Sequence, residues 1–198
     1  MPKPIEKAAK HLAEFEKAKS LDELQDAVEA TEAVELPEPP AAAERLQARQ
    51  ETARMWLTVI AAIETNLDPK FDPKDVPSVS VIPPPSGGVQ FPGGIDPKAI
   101  PDPAARAEYE AALKKNRDKA DRYRFQTRLL RLDARATAGV ERFSKSCYTS
   151  SLPDQKEVGE ILSQAKLSEP RKRALAALFS GRTGPQSTPE GPGSGLES

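Results

Sequence analysis

Hydrophobic positions recur at helical spacing over most of the chain, and a long central stretch interrupts them. Ile5, Ala8, Ala9, Leu12 and Phe15 predict a short amphipathic helix over residues 4–19. Pro4 sits in its first turn, where a missing N–H is tolerated. Ser20 begins a second helix, with Glu23 three residues on in capping-box position. Its thin apolar stripe is Leu21, Leu24, Ala27, Val28 and Thr31, and it ends before Pro37. After the rigid break Pro37-Glu38-Pro39-Pro40, a strong helix is predicted over residues 41–66. There Leu46, Ala53, Leu57, Ile60 and Leu67 share a face that Trp56, Val59 and Ile63 widen.

Residues 67–103 break the pattern. Asp68-Pro69, Asp72-Pro73, Val76-Pro77, Pro83-Pro84-Pro85, Gly87-Gly88, Pro92-Gly93-Gly94 and Asp96-Pro97 exclude a sustained helix or a central strand, because proline fixes φ and removes a donor. Scattered apolar residues, among them Phe71, Val76, Val79, Val81 and Ile100, predict a connection that packs along the helices rather than a bare spacer. Asp102-Pro103 then opens the longest helix, residues 104–147, with Gly139 as its bend or break point. At 1.5 Å per residue it would reach roughly 65 Å. Two short helices follow, over 154–166 and 169–180, the second stopped by Gly181. Residues 182–198, rich in Gly, Pro and Ser, are expected to be a disordered tail.

The expected fold is therefore all-α. It is a small helical bundle built on the 104–147 helix paired antiparallel with helix 41–66, carrying a long Pro/Gly-rich connection over 67–103. Residues 1–36 form an N-terminal helical arm, acidic in its second half, and residues 41–66 with 104–180 form the core.

Composition narrows the class. Leu, Ile, Val and Phe together number 39 of 198 residues, near the level at which a core becomes hard to build. With a formal net charge of -1, disorder throughout the chain does not follow, and a modest core with disordered flanks is expected. Cys147 is the single cysteine, so no internal disulfide forms. Met1-Pro2-Lys3-Pro4-Ile5-Glu6 lacks the apolar run of a signal peptide, and no membrane span is expected, so the cytoplasm is the expected compartment.

Residues able to carry chemistry are sparse. His11 is the only histidine, and a single imidazole on a charged helix reads as a solvated side chain. Cys147 has no obvious base near it in sequence and reads as a small apolar residue. The glycine pairs lack the Gly-Lys-Ser/Thr of a phosphate loop. No Glu-x-x-His motif points to a carboxylate–histidine metal site. The proline runs fit a loose recognition pattern without adjacent basic residues. No enzyme activity, metal site or cofactor is expected.

One pattern rises above composition. Arg117, Arg124, Arg128, Arg131, Arg135 and Arg142 fall within about 60° of one another on the long helix. From Arg106 to Lys145 there are 12 basic and 6 acidic residues, whereas residues 20–44 hold eight acids and no Lys or Arg. Three readings compete: a solvated face whose stems cover apolar surface, an internal match between this stripe and the acidic helix, and a platform for nucleic acid. Across the helix lies a broad apolar arc, with Phe125, Leu129, Leu132, Val140 and Phe143 on one flank and Tyr109, Tyr123, Leu130, Ala134 and Ala138 on the other. Gln126 and Asp133 lie between, and a buried Asp133 would need a donor or a charge partner. The expected function is a non-enzymatic helical interaction or scaffold protein, binding a protein partner or a second copy through that arc. The alternative is a nucleic-acid-associated protein using the arginine stripe.

Overall fold

The structure is a computed structural model that describes residues 11–34, 42–77 and 96–181. The start of the first helix, the break at residues 37–40, the glycine pairs and proline run within 78–95, and the C-terminal tail lie outside the described residues. Among the described residues the chain is all-α, with no strand. Residues 11–15 are helical. They precede α1 (Leu21–Glu32), α2 (Ala42–Asn66), α3 (Pro103–Ser146), α4 (Gln155–Gln164) and α5 (Glu169–Phe179), with short 3-10 turns at Pro97–Ala99 and Thr149–Ser151.

Local chemistry explains the boundaries. At the start of α1 the Ser20 hydroxyl accepts from the Glu23 N–H, and the Glu23 carboxylate accepts from the Ser20 N–H, closing the capping box. The Asp102 carboxylate accepts from the N–H groups of Ala104 and Ala105, so the start of α3 is capped by the aspartate its sequence advertises. Gly181 follows α5 at φ +67, the left-handed conformation of a helix-ending glycine. A Cβ there would lie 2.6 Å from Thr149 Oγ1, so close packing as well as the dihedral calls for glycine.

The described chain divides into two compact units, one made from Met1–Asn66 and Leu132–Ser198, the other from Leu67–Arg131. The first is organised on α2. Met55, Leu57, Val59, Ile60 and Ile63 have no exposed surface, and Trp56 keeps only 4%. This helix is buried nearly all round between Thr52 and Ile63, rather than on one stripe. Its hydroxyls tolerate burial because Thr52 and Thr58 donate to carbonyls four residues back. α1 and α4 both pack on α2, and α5 packs on α4. Leu24 and Val28 of α1, Val158 and Leu162 of α4, and Leu175 and Phe179 of α5 fill this core. Each such side chain removed from water contributes about 1.5–3 kcal/mol.

The second half of α3 belongs to the same unit and runs antiparallel to α2. Glu64 and Asp133 both meet Arg171, and Trp56 lies against Gly139. Numbers falling along one helix thus match numbers rising along the other. Gly139 corrects an expectation: α3 continues through it without a break. An added Cβ would sit 2.4 Å from Trp56 Cη2, so the glycine is there to admit the indole ring.

The second unit is held by polar contacts around prolines. In Asp68-Pro69, Asp72-Pro73, Asp96-Pro97 and Asp102-Pro103 the aspartate accepts from the N–H two residues on, so each pair builds the same side-chain-closed turn. Tyr123 of α3 donates to the Pro73 carbonyl and packs against Phe71 at 5.5 Å between ring centres. Gln126, buried on α3, accepts from the Asp68 N–H. Arg106 donates twice to the carbonyl of the buried Ile100. Phe71 and Ile100 thus pack as expected, whereas Val76 remains 69% exposed.

Candidate electrostatic binding face

The six arginines of the stripe are all on α3, and all are exposed. The structure divides them into two groups. Toward the C-terminal end, Arg135 donates through Nε and Nη2 to the Glu32 carboxylate, the shorter contact being 2.5 Å, and reaches Glu29 at 3.4 Å. Arg142 meets the other Glu32 oxygen at 3.4 Å. Glu29 and Glu32 lie three residues apart on the face of α1 that looks toward these arginines, so the acidic helix answers this end of the stripe.

The electrostatics agree with the contacts. The Glu29 carboxyl is held below its usual range first by the Gln25 amide and then by Arg135. The Arg135 guanidinium is pushed up, chiefly by its hydrogen bonds to Glu32. Exposed ion pairs contribute only about 0–1 kcal/mol each. The fully buried Leu24 and Val28 attach α1 far more strongly than its glutamates do.

Arg117, Arg124, Arg128 and Arg131 belong to the other unit. Arg124 reaches Asp121, one turn back on its own helix, at 3.5 Å. Arg117, Arg128 and Arg131 make no ion pair with any described residue. Lys114, Lys115 and Lys119 are exposed on the same stretch. Arg122 is exposed too, and binds Asp68, whose carboxyl is held low first by the Lys70 N–H and next by Arg122. Over residues 114–131 the helix carries eight cationic and two acidic side chains, a local net of +6.

The apolar arc opposite the stripe is largely occupied. Leu132, Ala136, Val140 and Phe143 are buried in the first unit, and Leu129 is buried in the second. On the other flank Tyr109 is buried, Tyr123 and Leu130 are half-buried, and Ala134 and Ala138 are exposed. The exposed large apolar side chains among the described residues are Leu46, Val76, Leu113 and Tyr148, scattered along the chain.

The sequence flagged Asp133 as needing a partner but did not identify it. Arg171 of α5 donates to Asp133 Oδ1 at 2.6 Å and to the Thr137 hydroxyl at 2.8 Å, and its Nε lies 3.5 Å from Glu64. One guanidinium therefore answers two largely buried carboxylates. Glu64 is pushed above its usual range, first by burial and then by Asp133, with Arg171 opposing. Arg54 of α2 makes a second link by binding Glu157 of α4. No local sequence signal ties Arg171 to Asp133, because the pair is 38 positions apart and only packing brings the two together.

His11 is partly exposed, stacks on Phe15 and pairs with Glu14. Burial raises the Cys147 thiol above its usual value, the opposite of what an activated nucleophile needs. Among the described residues there is no cluster of three metal-ligating side chains, and no helix is long and apolar enough to cross a membrane. In comparisons with known proteins, no family model, curated protein or solved structure matches the chain.

Proposed function

We propose that this protein is a non-enzymatic helical interaction or scaffold protein whose binding surface is the cationic stretch of α3 over residues 114–131. The observation that carries the reading is the division of the stripe. Arg135 and Arg142 meet carboxylates of α1, while Arg117, Arg128 and Arg131 are exposed and make no ion pair with a described residue. An exposed, predominantly cationic array in a chain of net charge -1 is a segregated surface, and segregation steers charged partners. Self-association through the apolar arc has less support, because that arc is largely occupied within the units.

Cation-exchange chromatography of the full chain tests the surface directly. At neutral pH a protein of this net charge would ordinarily flow through. Retention at low salt, lost when Arg117, Arg128 and Arg131 are changed to Gln, is the expected result. Flow-through of the unmodified chain at low salt would remove the basis for the proposal.

A further inference from the structure

Seven of the eight cations of residues 114–131 form two flanks on α3, and Lys114 lies between the flanks beside Asp118 and Asp121. Arg117, Arg124, Arg128 and Arg131 cluster on one side, at seven-, four- and three-residue spacing. Lys115, Lys119 and Arg122 lie roughly 180° around the helix from them at 100° per residue, Arg122 being paired with Asp68. One face between the flanks carries Tyr123, which is engaged by Phe71 and Pro73. The opposite face carries Asp118 and Asp121, both exposed.

We infer that this segment binds the phosphate backbone of double-stranded DNA, without reading base sequence. The inference rests on the proposed function and names its partner. Magnitudes choose among anions. An acidic protein segment gains about 0–1 kcal/mol from each exposed pair, and only the sum over many pairs offsets the several kcal/mol lost when two bodies associate. A duplex presents one negative charge per roughly 1.7 Å, and each phosphate neutralised releases condensed counterions, so binding strengthens with every contact.

The chemistry of the side chains points the same way. Five of the eight cations are arginines, whose planar fork matches phosphate oxygens. From Arg117 to Arg131 is about 21 Å of helix, long enough to follow several phosphates. Cations on both flanks suit a helix lying between two backbones, and the major groove of B-form DNA is wide enough to admit one. Single-stranded nucleic acid fits less well, because Tyr123 and Phe125 are half-buried rather than offered for stacking. Asp118 and Asp121 would stand between the backbones, away from the phosphates.

The test is binding of the full chain to a labelled mixed-sequence DNA duplex, followed by anisotropy from about 50 to 200 mM salt. With four to six phosphates neutralised, affinity should fall roughly 150- to 2000-fold across that range. Changing Arg117, Arg128 and Arg131 together to Glu should weaken binding at least tenfold and flatten the salt dependence. The matching change at Lys156, Lys166 and Arg173, which are exposed elsewhere, should do far less. If the Glu triple loses helicity by circular dichroism, the Gln triple takes its place.

Equal loss from the two triples would overturn the inference, since net charge alone would then explain binding. Poly-glutamate competing as well as duplex of equal charge would overturn the DNA inference and leave the interaction surface standing. Binding of neither polyanion at low salt would sink both.

Discussion

Replacing Gly139 by alanine sets helix propensity against the space taken by one ring. In an open helix the change would stabilise by about 1 kcal/mol, because alanine loses less backbone freedom on folding. Here the new Cβ would sit 2.4 Å from Cη2, 2.7 Å from Cζ2 and 3.0 Å from Cζ3 of Trp56. Contact between carbons needs about 3.5–4 Å, so the ring must retreat by more than 1 Å. It is 4% exposed and flanked on its own helix by Met55 and Leu57, which have no exposed surface, so it has little room to do so. Overpacking of this kind costs about 1–3 kcal/mol. The net effect expected for Gly139→Ala is a destabilisation of about 1 kcal/mol, or about 2–4 °C in Tm. With Trp56→Leu in place the obstacle is gone, and the same change should stabilise by about 1 kcal/mol. The assay is urea unfolding of the four proteins of this cycle, read by far-UV circular dichroism. A coupling of about 2 kcal/mol is expected; a value within about 0.5 kcal/mol of zero would refute the account of Gly139.

Two further predictions separate packing from charge in the same unit. Leu24→Ala should cost about 2–5 kcal/mol, as a fully buried leucine does, while Glu32→Gln should cost less, at most about 2 kcal/mol for the two arginines it meets; the reverse order in urea unfolding would mean that charge attaches α1. Glu64 binds its proton more tightly in the folded chain than in the unfolded one. The folded state then holds the extra proton in the window just above the ordinary carboxylate range, and stability falls as pH rises through the folded-state value. Glu64→Gln should therefore stabilise the protein at neutral pH, with the gain shrinking toward zero in acid; a gain independent of pH, or a loss at neutral pH, would contradict the burial argument.

Much of the architecture was legible because its signals are local. The helix boundaries follow from Ser20 with Glu23, from Asp102 with Pro103 and from Gly181, each acting on backbone groups within a few positions. The positions of α2 through α5 were readable from periodicity, since any chain that buries apolar side chains through a helix repeats them every three to four residues. The candidate face was legible in its spacing: six arginines fall on one side of a helix by arithmetic alone.

What spacing does not carry is which charges meet. Arg135 and Glu32 are 103 positions apart, and Arg171 lies 38 positions from Asp133. The role of Gly139 was also out of reach, because a glycine that breaks a helix and a glycine that seats an indole look alike until Trp56 is brought against it. Sequence by itself determined the elements, their ends and the segregation of charge, because those depend on backbone hydrogen bonding and periodicity within one segment. Only the tertiary structure decided that α1 answers Arg135 and Arg142, that Arg171 answers Asp133 and Glu64, and that Arg117, Arg128 and Arg131 remain without an ion pair among the described residues. Pairings between distant side chains are set by packing apolar faces together, and the charges meet where that packing leaves them.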